Sequence, residues 1–205
     1  MLAEGPPFNK QGDMSLLKTK VGREPRADGM RNYQLLLEAA KSAFNRNGSA
    51  TRLEEIARSA GVGIATLYRH FPTREDLVRE VYRSEIDQLI AIAPKLIKRH
   101  APSEALRRWL HLFVEYLATK RLLAETLHID PSDGALTTET SGVLIGQAVH
   151  MLVDRAVNSG EMTLALDPSD LLRSLVGVAT IYPQPQWEMN AKRLADVMVA
   201  GMRIC

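Results

Sequence analysis

Between Gly61 and Phe71 the chain carries no acidic residue, and six of its side chains suit contact with a polyanion or a base edge. Thr66 and Tyr68 can donate to phosphate oxygens. Arg69 can place two parallel hydrogen bonds on a guanine edge, and Ile64 or Ala65 can lie on a thymine methyl. Arg74 and the two threonines Thr51 and Thr73 offer further backbone contacts, since helix N-termini attract phosphate. If Leu67 and Phe71, spaced i, i+4, point inward, then Ile64, Ala65, Thr66, Tyr68, Arg69 and His70 stay on the outer parts of a short helix.

Such a face is useful only if neighbouring elements hold it proud of the molecule. Thr51-Arg52-Leu53-Glu54 has the form of a capping box, and Leu53, Ile56, Ala57 and Ala60 mark one buried face up to Gly61. A helix, a glycine-containing turn and a second helix interrupted at Pro72 follow, the arrangement that lets one helix project into a DNA major groove. A generic helical hairpin has the same spacing. Before this pair, Met30 to Asn47 reads as a helix with Leu36, Ala40, Ala43 and Phe44 on one side and Gly48 as its left-handed stop.

After it, Thr73-Arg74-Glu75-Asp76 forms a second box, opening a helix expected to end or kink at Pro94. Further helices are expected near 102–118, 120–128, 138–159, 168–182 and 187–203, with Asp167-Pro168 as a strong start signal. No period-2 run of β-branched residues appears, so the expected fold is all-α: an N-terminal three-helix domain with a helix-turn-helix, then a C-terminal helical bundle, about nine helices in total. The divisions are a basic N-terminal arm at 1–28, the helix-turn-helix domain at 29–75 and a larger body at 76–205.

Composition narrows the function classes. The 205 residues are 45% apolar and 24% charged, with a net charge of +2 that divides unevenly: +4 over residues 1–83 and −2 over the remainder. A basic head on a near-neutral body suits a nucleic-acid reader, and surplus surface charge gives the same arithmetic. The single cysteine, Cys205, excludes an internal disulfide and a cysteine metal cage. With no long apolar run and a polar start, the chain is expected to be soluble and cytoplasmic, without a membrane role.

Enzymatic readings find little support. Glu125-Thr126-Leu127-His128 has the Glu-x-x-His spacing of di-iron bundles, but in one copy only, and His70, His100, His111 and His150 lack a Glu at that spacing. There is no nucleophile elbow, phosphate loop or dinucleotide fingerprint, so no catalytic residue, metal or cofactor is expected. The alternative class is a helical metal- or ligand-binding enzyme or sensor without a nucleic-acid role.

The stretch Arg31 to Leu77, and within it TRLEEIARSAGVGIATLYRHFPTREDLV at 51–78, resembles the DNA-binding domain of the TetR family of bacterial transcriptional regulators. The resemblance implies a homodimeric repressor that reads a palindromic operator in double-stranded DNA and releases it when a small-molecule effector enters the body. It implies base-edge contacts from Ile64, Ala65, Arg69 and His70, and phosphate contacts from Thr51, Thr66, Tyr68 and Arg74; Arg52 joins this DNA-facing set. Gly63 and Ile64 stand where polar or basic residues are frequent in the family. The arm residues Lys18, Lys20, Arg23, Arg26 and Arg31 could reach backbone or minor groove, or form a basic tail without register. Trp109, Phe113 and Met151 are the ligand-binding candidates, with ordinary core packing as the competing reading. The apolar stripes Leu172, Leu175, Val176 and Ala179, and Leu194, Val197, Met198 and Gly201, are the expected dimer surface.

Overall fold

The computed structural model describes residues 25–127, 139–181 and 186–203. Eight α-helices are found among them: α1 (Pro25–Asn47), α2 (Leu53–Ser59), α3 (Ile64–His70), α4 (Arg74–Arg99), α5 (Pro102–Leu127), α6 (Glu139–Asn158), α7 (Pro168–Ile181) and α8 (Trp187–Gly201). The architecture is all-α, as expected, with a small N-terminal head (α1 to α3) on a helical body. None of the described helices is long and apolar enough to cross a membrane.

The head is organised by two glycines at positive φ. Gly48 (φ 55°) turns the chain after α1 into a single 3-10 turn, and Gly61 (φ 70°) reverses it between α2 and α3. Both positions tolerate this conformation because glycine lacks a Cβ. Leu36, Ala40, Phe44, Ile56, Leu67 and Phe71 close around one another, each almost fully buried, so α3 is fixed by two side chains on one edge while its other edge stays free.

Three expectations about boundaries need correction. α1 begins at Pro25, so residues 25–28 belong to a helix and not to the arm; proline suits a first helical turn because its missing N–H would be unpaired there anyway. α4 runs through Pro94 to Arg99. Proline forfeits one backbone bond, yet Pro94 faces solvent while Leu89, Ala93 and Leu96 remain buried on one continuous stripe, and that packing holds the helix on both sides of it. The expected helices 102–118 and 120–128 are one helix, α5: Ala118-Thr119-Lys120 contains no breaker, the Thr119 hydroxyl donates back to the Glu115 carbonyl at 3.2 Å, and Leu123 and Ala124 continue the buried face. This merger accounts for eight helices where nine were expected.

The start of α4 is as expected. Thr73 Oγ1 accepts from the Asp76 amide and the Asp76 carboxylate accepts from the Thr73 amide, each at 3.1 Å, a complete capping box. The box expected at Thr51 is absent: α2 starts from Arg52 without a side-chain cap, because the Thr51 hydroxyl is spent on the carbonyls of Ala43 (3.0 Å) and Gly48 (2.9 Å). In the body, α4 and α5 run antiparallel. Tyr82 meets Tyr116 through a hydroxyl–hydroxyl bond, and one full turn or more further along α4 the Leu89 carbonyl accepts from Trp109 Nε1 at 2.9 Å. A buried indole N–H needs such a partner, and this one locks the two helices in register.

Candidate nucleic-acid interface

α3 spans seven residues, about 10 Å at the usual helical rise. Leu67 is fully buried and anchors it; Ala65, Tyr68 and Arg69 are exposed, Ile64 is at the edge of exposure, and Thr66 is half-buried. Tyr68 is 46% exposed, a large aromatic side chain standing out from a small helix. The structure thus brings Ile64, Ala65, Thr66, Tyr68 and Arg69 together on the outward part of α3, and Arg52 is exposed at the start of α2. Nothing acidic interrupts this surface between Gly61 and Phe71. An acid-free rod carrying an arginine, two hydroxyl donors and small apolar groups can meet phosphates and base edges at once.

Three residues assigned to DNA contact are otherwise engaged. Thr51 is 2% exposed and its hydroxyl already serves two carbonyls, so it has no free surface for a phosphate. Arg74 folds back over the head, donating to the carbonyls of Thr51 (2.5 Å) and Ser49 (2.9 Å) with its guanidinium 5.2 Å from the centroid of the Phe44 ring. It is a strut between α1 and α4. His70 turns its ring toward Tyr33 and Phe71, and its Nε2 is buried without a hydrogen-bond partner, which removes it from the base-reading face.

Tyr33 is the positioning residue that reading the sequence overlooked. Its ring packs edge-on against His70 and, 5.3 Å between centroids, against Phe71, while its hydroxyl donates to the Glu80 carboxylate on α4. Burial and the adjacent carboxylate both push the phenol well above its ordinary range, so it stays a donor. One aromatic side chain therefore ties the end of α3 to α1 and α4. Its signal in the sequence was faint, because i-to-j partners 37 and 47 residues away leave no local period.

The structure does not bring all three ligand candidates of the body together. Trp109 is fully buried with its N–H satisfied, and Phe113 stacks on it with centroids 5.9 Å apart and planes 8° from parallel; both are core. Met151 is exposed on α6 and joins neither. His150 Nε2 on α6 faces Ser169 (3.3 Å) and Asp167 (3.6 Å) across to the start of α7. Of the expected dimer stripes, Leu175 and Ala179 turn inward, whereas Val176 and Val197 remain exposed. Among the described residues no group of three or more metal-ligating side chains gathers; His128 and Cys205, and arm residues Lys18, Lys20 and Arg23, lie outside them.

Comparison with known proteins decides the family. Residues 36–81 match the model described as bacterial regulatory proteins of the tetR family, and residues 101–204, half of the chain, match the SbtR-like C-terminal domain of transcriptional regulators. The chain belongs to the TetR family. A TetR transcriptional regulator from Streptomyces coelicolor superposes with a TM-score of 0.70 at 36% identity, over 83% of this chain and 97% of that one. A TetR regulatory protein from Mycobacterium vanbaalenii gives the same TM-score at 27% identity, over 87% and 99% of the two chains. Among curated proteins, the transcriptional regulator YhgD of Bacillus subtilis is 23% identical over 82% of this chain and 91% of its own length. The repressor KstR2 of Mycolicibacterium smegmatis is 38% identical over 65 residues, about a third of either protein. This TetR-family protein is thus a helix-turn-helix DNA-binding transcriptional regulator, a member of a non-enzymatic family.

Proposed function

We propose that this regulator is a dimeric repressor that reads a palindromic operator and is released from it by a small molecule. The observation that carries the reading is the outward, acid-free face of α3, held by Leu67 and Phe71 and by Tyr33 behind them. Arg69 reads a base edge, Ile64 and Ala65 lie against base methyls, and Thr66, Tyr68 and Arg52 hold phosphates.

One short helix per half-site covers too few base pairs for a selective operator, so a second copy is required about one helical turn of DNA away. Val176 on α7 and Val197 on α8, the latter 67% exposed, supply apolar surface for a twofold contact. A molecule that prefers the wrong head spacing then lowers DNA affinity by no more than its differential affinity for the two forms. Repression also accords with the 65-residue similarity to the KstR2 repressor. Such a protein works in the cytoplasm, where the DNA is.

The test is selection of duplexes from a random pool by the purified full chain, with sedimentation of the complex. The reading expects inverted half-sites with centres about 10 base pairs apart, or a multiple, bound by an even number of chains. Recovery of unrelated sequences, or a single half-site bound by one chain, overturns it.

A further inference from the structure

Between head and body, away from α3, lies a trough of about 950 Å³. Its apolar lining, including Leu89, Ile92, Leu112, Ala118 and Leu122, comes entirely from α4 and α5. Its remaining walls are polar: Lys41 and Asn45 from α1 on one side, Glu188 and Lys192 from α8 on the other. That size falls within the usual range for a small-molecule site, and the mixture of apolar lining with a few polar groups is the usual composition.

The charges around the trough cancel. Lys41 Nζ is 2.6 Å from the Glu85 carboxylate, and Lys192 Nζ is 2.6 Å from that of Glu115, so each wall lysine is paired with an acid of α4 or α5. Lys95 and Glu188 complete a lining of three lysines and three glutamates. An occupant with a net charge would gain from one sign and lose to the other, after competing with pairs already made. The polar hydroxyl of Thr119 is likewise committed, to the Glu115 carbonyl. The Asn45 side-chain amide makes no hydrogen bond to the described residues and offers both a donor and an acceptor.

We infer that this trough is the effector site, and that it takes an uncharged, mainly apolar molecule with hydrogen-bonding groups for Asn45. The inference rests on the repressor reading above and adds to it the site and the ligand chemistry. Its coupling route is short. α1 belongs to the head and α8 carries the exposed Val197 of the proposed twofold contact, so a molecule touching both walls fixes the head relative to the dimer axis.

The experiment uses the full chain with Nile red, an uncharged apolar dye that brightens on leaving water, and 1-anilinonaphthalene-8-sulfonate as an anionic counterpart. Nile red should saturate the trough and bind more tightly than the sulfonate. Ala118→Trp, which fills the trough, and Asn45→Trp, at its exposed rim, should each weaken the dye about tenfold or more, while Val143→Lys on the exposed face of α6 leaves it unchanged. Thermal melting shows which variants fold, and Asn45→Trp sits on a helix surface where a failure to fold is not expected. Saturating dye should weaken a duplex selected by the same protein about fivefold or more, and the duplex should weaken the dye by the same factor. Equal dye affinity in all variants, tighter binding of the sulfonate, or a DNA affinity indifferent to bound dye overturns the inference. A chain that binds duplex but leaves the trough empty overturns the trough alone, whereas one that binds no duplex overturns the repressor reading and the inference with it.

Discussion

The guanidinium of Arg74 donates to the main-chain carbonyl of Thr51 at 2.5 Å, joining the first residue of the long helix α4 to the end of the turn after α1. A second bond to Ser49 and the stacking over Phe44 make this one fork with three anchors. Hydrogen bonds from a charged donor contribute about 1.5–3 kcal/mol each where solvent is partly excluded. Arg74→Ala should therefore lower the unfolding free energy by about 2 kcal/mol in a denaturant titration, and Arg74→Lys should recover only part, since a point charge cannot span two carbonyls. A variant as stable as the parent would return Arg74 to the DNA.

Arg69 and Tyr68 occupy the same short helix and should fail differently. Arg69→Ala should cost about 1–3 kcal/mol at particular base pairs and relax preference there, whereas Tyr68→Phe should weaken every sequence alike. Competition binding with a panel of single-base operator variants separates the two patterns, and a uniform loss for Arg69 would refute its assignment as a base reader.

Acid sensitivity should trace in part to Glu104. Hydrogen bonds from Arg107 above all, and from Arg108, hold its carboxyl at about 2, below the ordinary 4.5. The folded state thus binds this proton more weakly than the unfolded chain does. Its stabilisation is complete above pH 4.5 and drains away as the pH falls toward about 2. Solvent screening at this partly exposed site reduces the effect to about 1 kcal/mol. Unfolding of the parent and Glu104→Gln, followed from neutral to acid pH, should show a gap that closes over that window; a gap constant with pH would contradict the pairing.

Salt dependence counts the phosphates. If the dimer neutralises roughly eight of them with lysine and arginine side chains, the logarithm of affinity should fall against the logarithm of salt with a slope of about −7. Fluorescence anisotropy of a labelled operator gives this slope directly, and a value near zero leaves no room for phosphate neutralisation by Arg52.

The head was legible because its decisive signals are local. Gly48 and Gly61 mark reversals, Leu67 and Phe71 mark an edge four residues apart, and Thr73 with Asp76 closes a cap within one turn. What escaped reading depends on partners distant in the chain. Thr51 has the spacing of a cap, yet its hydroxyl is captured by Ala43, eight residues upstream. Pro94 would break an isolated helix, and only the buried stripe of Leu89, Ala93 and Leu96 carries α4 past it. Trp109 and Phe113 were indistinguishable from cavity lining because a core and a pocket use the same residue types, and the indole bond to Leu89 exists only once α4 and α5 have paired. The trough was invisible for the same reason: Lys41 with Glu85 and Lys192 with Glu115 are neighbours across helices, never along them.

The central claim is that α3 lies in the major groove, where guanine N7 is exposed. Methylation of N7 by dimethyl sulfate before binding tests it at single-base resolution. Interference should appear in both half-sites, about one helical turn apart, and should vanish at one guanine per half-site in Arg69→Ala. Full affinity for operators methylated at every N7 would contradict the account.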